Sequence, residues 1–135
     1  ILNGGIASLE AGLAELPRFD GVMLGRAAYH TPAELLDVDA RVFGDVSPAR
    51  SAHDIARAYR SYIVERLDEG TPLHAITRHM LGLFASRKGA RQWRRVLSEG
   101  APGARGPEAI AVYDAALAAV PEFQDAKEEQ ACFVE

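Results

Sequence analysis

Two short stretches carry the residue types best suited to gripping an anion: Asn3-Gly4-Gly5 and Gly21-Val22-Met23-Leu24-Gly25-Arg26. Gly4, Gly5 and Gly25 have no Cβ, so the backbone N–H groups there can come close to a ligand. A helix beginning just after each stretch would add its partial positive end. Arg26 brings a guanidinium that can bond two oxygens at once. Together these groups suit a phosphate. The same glycines would also serve simply to make tight strand-to-helix turns, and spacing alone leaves both readings open.

A second set of cations lies further along. From Gly70 to Ser98 there is no Asp or Glu, yet Arg78, Arg87, Lys88, Arg91, Arg94 and Arg95 all fall in that stretch. At about 100° per residue, Arg91, Arg94 and Arg95 share one helix face, opposite Trp93, Val96 and Leu97. If the apolar side packs, the arginines point outward, where they could grip phosphates in two-point fashion. The formal net charge of −4 argues against a nucleic-acid partner, whereas this distribution argues for one. The alternative is a solvated helix face.

Other chemistry finds less support. His74 and His79 are five apart and point to different faces, so they do not share a metal. His30 and His53 have no carboxylate or cysteine at ligand spacing and read as surface or capping histidines. Cys132, near the acidic end, has no neighbour that would lower its pKa, and as the single cysteine it excludes an internal disulfide and a multi-cysteine zinc site. No nucleophile elbow, P-loop or carboxylate pair is visible. The sequence therefore offers no catalytic residue and no metal site.

The elements that must position these residues follow from periodicity. Each glycine motif ends a short apolar run and precedes a helix-like segment, as adjacent strands of a parallel sheet do when crossover helices join them. Ser8 to Leu16, with Leu9, Leu13 and Leu16 at helical spacing and Pro17 as a stop, reads as the crossover, although Gly12 weakens it. Thr31-Pro32-Ala33-Glu34 reads as a helix start with Thr31 as N-cap and Glu34 closing a capping box, the helix covering Leu35, Leu36 and Val38. Asp39 to Pro48 reads as a loop, with another turn of helix beginning at Ser47-Pro48.

From Ser51 the pattern is helical. Ala52 to Glu69 places Ile55, Ala58, Tyr59, Tyr62 and Ile63 on one side, with Gly70 as its C′ residue. A helix from Thr71-Pro72 carries Leu73, Ile76, Met80, Leu83 and Phe84 as one stripe, with Arg78 and Gly82 opposite. Arg87-Lys88-Gly89 turns the chain into Ala90 to Glu99. Residues 102–106 form a linker, and Pro107 to Val120 a last helix bearing Ile110, Tyr113, Leu117 and Val120. The expected fold is mainly α. Residues 1–46 form the C-terminal βαβ end of a (β/α)8 TIM barrel, residues 47–121 a helical bundle domain, and residues 122–135 an acidic, disordered tail. In such barrels a phosphate site is often built from the loops after the last two strands. A whole barrel needs roughly 250 residues, and the chain opens inside a strand pattern without an initiator Met, so an N-terminally truncated piece is expected. The chain is nearly half apolar and a quarter charged, with no membrane-length apolar run or secretory signal, which points to a soluble cytoplasmic protein.

Asn3-Gly4-Gly5, the run from Gly21 to Tyr29, Ile76-Thr77-Arg78-His79-Met80-Leu81-Gly82-Leu83-Phe84, and Gly89-Ala90-Arg91-Gln92-Trp93-Arg94-Arg95 together resemble the C-terminal part of a tRNA-dihydrouridine synthase of the A type. The resemblance runs in order from residue 1 to about residue 100. It implies an FMN-dependent enzyme that uses NADPH to reduce a uridine of the tRNA D-loop, built from a barrel and a C-terminal helical domain that holds tRNA. By resemblance, Asn3, Gly4, Gly5, Gly25 and Arg26 hold the FMN phosphate, and Arg78, Arg91, Arg94 and Arg95 bind tRNA. The family's catalytic cysteine and the residues around the isoalloxazine lie on earlier strands that have no counterpart here. A monomeric fragment with little activity of its own is expected, with tRNA as partner and neither membrane nor metal. The alternatives are another FMN barrel, of dihydroorotate-dehydrogenase type, and a non-enzymatic α-helical RNA-binding module made from residues 51 to 120.

Overall fold

A computed structural model describes residues 1–46 and 51–122. Strands β1 (Leu2–Asn3) and β2 (Val22–Met23) pair in parallel, with Leu2 opposite Val22 and Asn3 opposite Met23. The crossover between them is helix α1 (Leu9–Glu15), which starts where Ser8 Oγ accepts the Ala11 N–H at 3.2 Å. Gly12, a weak point in the sequence pattern, is buried where α1 lies on β2. A Cβ there would stand 3.2 Å from both Val22 Cγ2 and Leu24 Cδ1. The glycine is what lets the helix approach the strand this closely.

After β2 the chain enters helix α2 (Gly25–His30) without a break. Thr31 does not form the capping box expected of it. Its Oγ1 donates to the Ala27 carbonyl at 2.9 Å, closing the end of α2 instead, and Glu34 Oε2 accepts the Leu9 N–H at 3.3 Å. With that cap unused, the next segment is a 3-10 helix, Pro32–Asp37. The loop expected over Asp39 to Pro48 begins as a π-helical turn, Asp39–Phe43, which Gly44 ends in left-handed conformation (φ 74°). The helical turn expected at Ser47-Pro48, Cys132 and most of the acidic tail lie outside the described residues.

Helix α3 (Ala52–Asp68) starts at Ser51, whose Oγ accepts the Asp54 N–H at 3.1 Å. It ends at Gly70 (φ 87°), where Gly70 N–H bonds the Leu67 carbonyl and Thr71 N–H the Arg66 carbonyl, which is a Schellman closure. Its buried face overlaps the expected one, with Ile63 buried and Ile55 and Tyr59 half-buried against the core, whereas Ala58 is exposed. Ala52, His53, Ala56, Ile63 and Leu67 face the core, while Tyr62 is 44% exposed. Helix α6 (Ile110–Ala118) packs on α3, and Tyr113 from it reaches Ala56, where its hydroxyl donates to the backbone carbonyl at 2.8 Å.

The segment after Pro72 departs most from expectation. The long helix is only α4 (Leu73–Thr77), and residues 78–88 are a run of turns with i→i+3 bonds such as Leu83 to Met80 and Arg87 to Phe84. Gly82 explains part of this. A Cβ at that position would lie 2.2 Å from the His30 carbonyl oxygen, so the segment is pressed against the end of α2 rather than coiled away from it. Leu83 and Phe84 are nonetheless buried. Helix α5 (Ala90–Gly100) follows Gly89, itself left-handed.

The core is an aromatic column. Trp93 meets Phe84 edge-on at 4.9 Å and Tyr113 at 5.6 Å, and the His53 ring lies tilted against Phe84 at 4.8 Å. Each polar tip is satisfied: Trp93 Nε1 donates to the Met80 carbonyl, Tyr113 OH to the Ala56 carbonyl, and His53 Nε2 lies 3.1 Å from the Val120 carbonyl. His53, read from sequence as a surface or capping residue, is therefore a buried brace between α3 and the end of α6. Burial pushes the Tyr113 hydroxyl well above the usual tyrosine range. No described helix is long and apolar enough to cross a membrane.

Candidate cofactor and nucleic-acid site

The parallel register of β1 and β2 sets the two glycine motifs side by side, because the strand ends Asn3 and Met23 are paired. Gly4 and Gly5 both take positive φ, 95° and 77°, and nothing stands within 4 Å of where a Cβ would be. Glycine is required here for conformation, and the space before the backbone is open. Gly25 begins α2, and Arg26 follows it on the exposed side of that helix.

A groove of about 460 Å³ lies between the β1 end and α2, lined by Gly5, Ile6, Ala7, Arg26, Ala27, His30 and Thr31. It brings together Gly5 and Arg26 from the predicted set. Asn3, Gly4 and Gly25 adjoin those two in the chain without lining the groove. His30 and Thr31 were not singled out for this role, and the available signal was the i, i+4 spacing that sets His30 on the same face as Arg26. The groove fits an anionic group: an open glycine turn faces a guanidinium that has no ion pair among the described residues. Such residues could hold the phosphate of a flavin mononucleotide.

The cations of the helical part divide sharply. On α3 every arginine meets a carboxylate. Arg57 pairs with Asp54 and Glu122, Arg60 bonds Asp114 with two nitrogens at 2.8 Å each, and Arg66 pairs with Glu65 and Glu69. The hydrogen bond from Arg60 holds the Asp114 carboxyl below its usual range, and the bond from Arg57 does the same for Glu122. On α5, Arg95 pairs with Glu99 at 3.3 Å, whereas Arg91 and Arg94 are exposed and have no ion pair among the described residues. Their helix buries Trp93 and Leu97 on the other side, as the 3.6 periodicity requires. Arg78 follows α4 and donates from Nε to His79 Nε2 at 3.0 Å. His74 is exposed on α4, and among the described residues no group of three or more His, Cys, Asp or Glu is placed to hold a metal ion.

A sequence model of the dihydrouridine synthase (Dus) family matches residues 1–120, and the chain belongs to that family. Among named relatives, it is 53% identical over 106 residues to the tRNA-dihydrouridine(20/20a) synthase of Xanthomonas campestris pv. campestris, covering 77% of this chain and 31% of that protein. The enzyme of the same name from Vibrio cholerae is 44% identical over 122 residues (89% and 36%), and that from Escherichia coli K12 is 51% identical over 100 (74% and 29%). The chain thus spans about a third of the length of the curated relatives it matches. The family resemblance read from the glycine and arginine motifs is borne out. Membership in the Dus family sets aside the dihydroorotate-dehydrogenase-like alternative.

Proposed function

We propose that this chain forms part of an FMN-dependent tRNA-dihydrouridine synthase, in which residues 1–46 complete the barrel and grip the flavin phosphate and residues 47–121 form the helical domain that holds tRNA. The observation that carries this reading is the groove that joins Gly5 to Arg26, which has no ion pair among the described residues, at the ends of two parallel strands. Bound FMN would relay a hydride from NADPH to the ring of a D-loop uridine, and this is chemistry of the cofactor. The protein's share is binding and orientation. The glycine turn and Arg26 would fix the phosphate end of the flavin, with Asn3, Gly4 and Gly25 shaping the backbone around it. Arg91 and Arg94, with Arg78 and Arg95 beside them, would hold the tRNA backbone while the target base leaves its stack. None of the chain's residues is assigned to proton transfer, so the isolated segment is proposed to be inactive.

The test is Arg26→Ala in a protein that carries this segment at the relatives' full length. Loss of a charge-assisted hydrogen bond should weaken FMN binding by about 1.5–3 kcal/mol, read as flavin lost on purification and as a raised Kd. A variant that retains FMN as tightly as its parent would remove Arg26 from the phosphate site.

A further inference from the structure

Tyr29 is a large aromatic residue that the core does not use. It is 54% exposed, yet its ring is held on two sides. His30 meets it edge-on at 5.6 Å and His79 at 5.8 Å. His79 Nδ1 lies 3.3 Å from the Tyr29 hydroxyl, and Arg78 Nε donates to His79 Nε2 at 3.0 Å. Since Nε2 accepts, the imidazole proton sits on Nδ1 and is donated to the Tyr29 oxygen. The phenol then keeps its own proton free for a ligand. The backbone beneath is equally fixed, because Gly82 packs against the His30 and Tyr29 carbonyls.

We propose that Tyr29 is a stacking platform for an unpaired nucleobase of bound RNA, held in place by the His79–Arg78 pair. The inference rests on the tRNA reading above and adds to it a contact outside the arginine helix. Three features select RNA as the occupant. Tyr29 lies on the exposed face of α2 one turn beyond Arg26, the residue proposed above for the flavin phosphate, so a base on its ring would sit close to the cofactor groove. On the other side stands Arg78, inside the stretch from Gly70 to Ser98 that has no carboxylate. A ring that is exposed, fixed in place and set beside a cation is how proteins take up single-stranded nucleic acid, since every base offers a π-face and the adjoining phosphate needs charge. A duplex hides those faces, so the partner is a single-stranded segment.

The experiment measures affinity of the full chain for an unmodified tRNA transcript, a single-stranded oligoribonucleotide and a blunt RNA duplex, each at several salt concentrations. Tyr29→Ala and Tyr29→Leu should each lose roughly tenfold or more in affinity for the tRNA and the single strand, with duplex binding and salt slope unchanged. Tyr29→Phe should keep most of the affinity, because it keeps the ring. Thermal unfolding of the same variants checks that the fold survives, and Tyr29→Leu retains side-chain bulk if Tyr29→Ala does not fold. Parent-like tRNA affinity in Tyr29→Leu, or equal losses on single strand and duplex, would overturn the proposal. If an Arg91→Ala/Arg94→Ala variant loses affinity while Tyr29→Leu does not, only the stacking role fails. If the parent binds no tRNA, the stacking role and the tRNA reading fail together.

Discussion

Replacing Gly82 with alanine tests how the two parts of the chain are joined. The glycine does not have the positive φ that would demand its conformational freedom, so the cost of Gly82→Ala is one of space. An added Cβ would stand 2.2 Å from the His30 carbonyl oxygen, 2.8 Å from the carbonyl carbon and 3.3 Å from the Tyr29 oxygen. Restoring an ordinary contact requires the end of α2 and the 78–88 turns to part by about 1 Å, and all the atoms that must move are backbone. Overpacking of this kind costs about 1–3 kcal/mol, at the upper end here because no flexible side chain can yield. Gly103→Ala is the control: its site is open but φ is 83°, so it pays only the left-handed penalty, about 1–2 kcal/mol. Denaturant unfolding of the parent and both variants gives the comparison. Gly82→Ala should lower the midpoint at least as much as Gly103→Ala and should also disturb the Tyr29–His79 contact, seen in the NMR shifts of the imidazole. A Gly82→Ala chain with the parent's midpoint and unshifted His79 signals would show that the junction is not packed as described.

Trp93→Ala removes the centre of the aromatic column and one of the two donors to the Met80 carbonyl, which keeps the Leu83 N–H, so a loss of about 3–5 kcal/mol, mostly from the vacated core, is expected by chemical denaturation. Stability should also fall with acidification. Asp114 and Glu122 have folded-state pKa values below their unfolded ones, so their contribution is complete above the ordinary carboxylate range, near pH 4, and disappears as pH drops through the lower folded values. Thermal melts from pH 6 downward should show this, and Asp114→Asn should flatten the slope. The Arg60–Asp114 pair is exposed and screened by solvent, so a double-mutant cycle should return only a weak coupling that fades further with added salt.

What the sequence revealed and what it hid have physical reasons. The parallel strand pair, the crossover α1 and the ends of α3 were legible because local signals decide them: glycine after an apolar run, Ser51 at an N-cap and Gly70 at a C′ position. The arginine face of α5 was legible from periodicity alone. The segment from residue 78 to residue 88 was misread because i→i+3 turns repeat nearly as a helix does, so Ile76, Met80, Leu83 and Phe84 keep a helix-like stripe without a helix. The missing clue was tertiary, the close seat of Gly82 on α2. On α3, Ile63 and Tyr59 pack inward as the stripe implied, but Ala52, His53 and Ala56 are buried as well and Tyr62 is exposed. His53 and His30 looked alike in sequence, and only packing made one a buried brace and the other part of a groove. Thr31 illustrates competition between caps, since its hydroxyl could serve either helix and bonds the preceding one.

The claim that this segment holds tRNA is tested most directly by the salt dependence of tRNA binding in the parent and in Arg91→Ala/Arg94→Ala. These arginines are exposed and unpaired among the described residues, and Trp93 and Leu97 hold the opposite face, so the double variant should melt as the parent does. If each cation neutralises one phosphate, the slope of log affinity against log salt should flatten by about 0.7–0.9 per lost contact, or between one and two units in all. An unchanged slope at unchanged stability would reduce the patch to a solvated helix face and contradict the account.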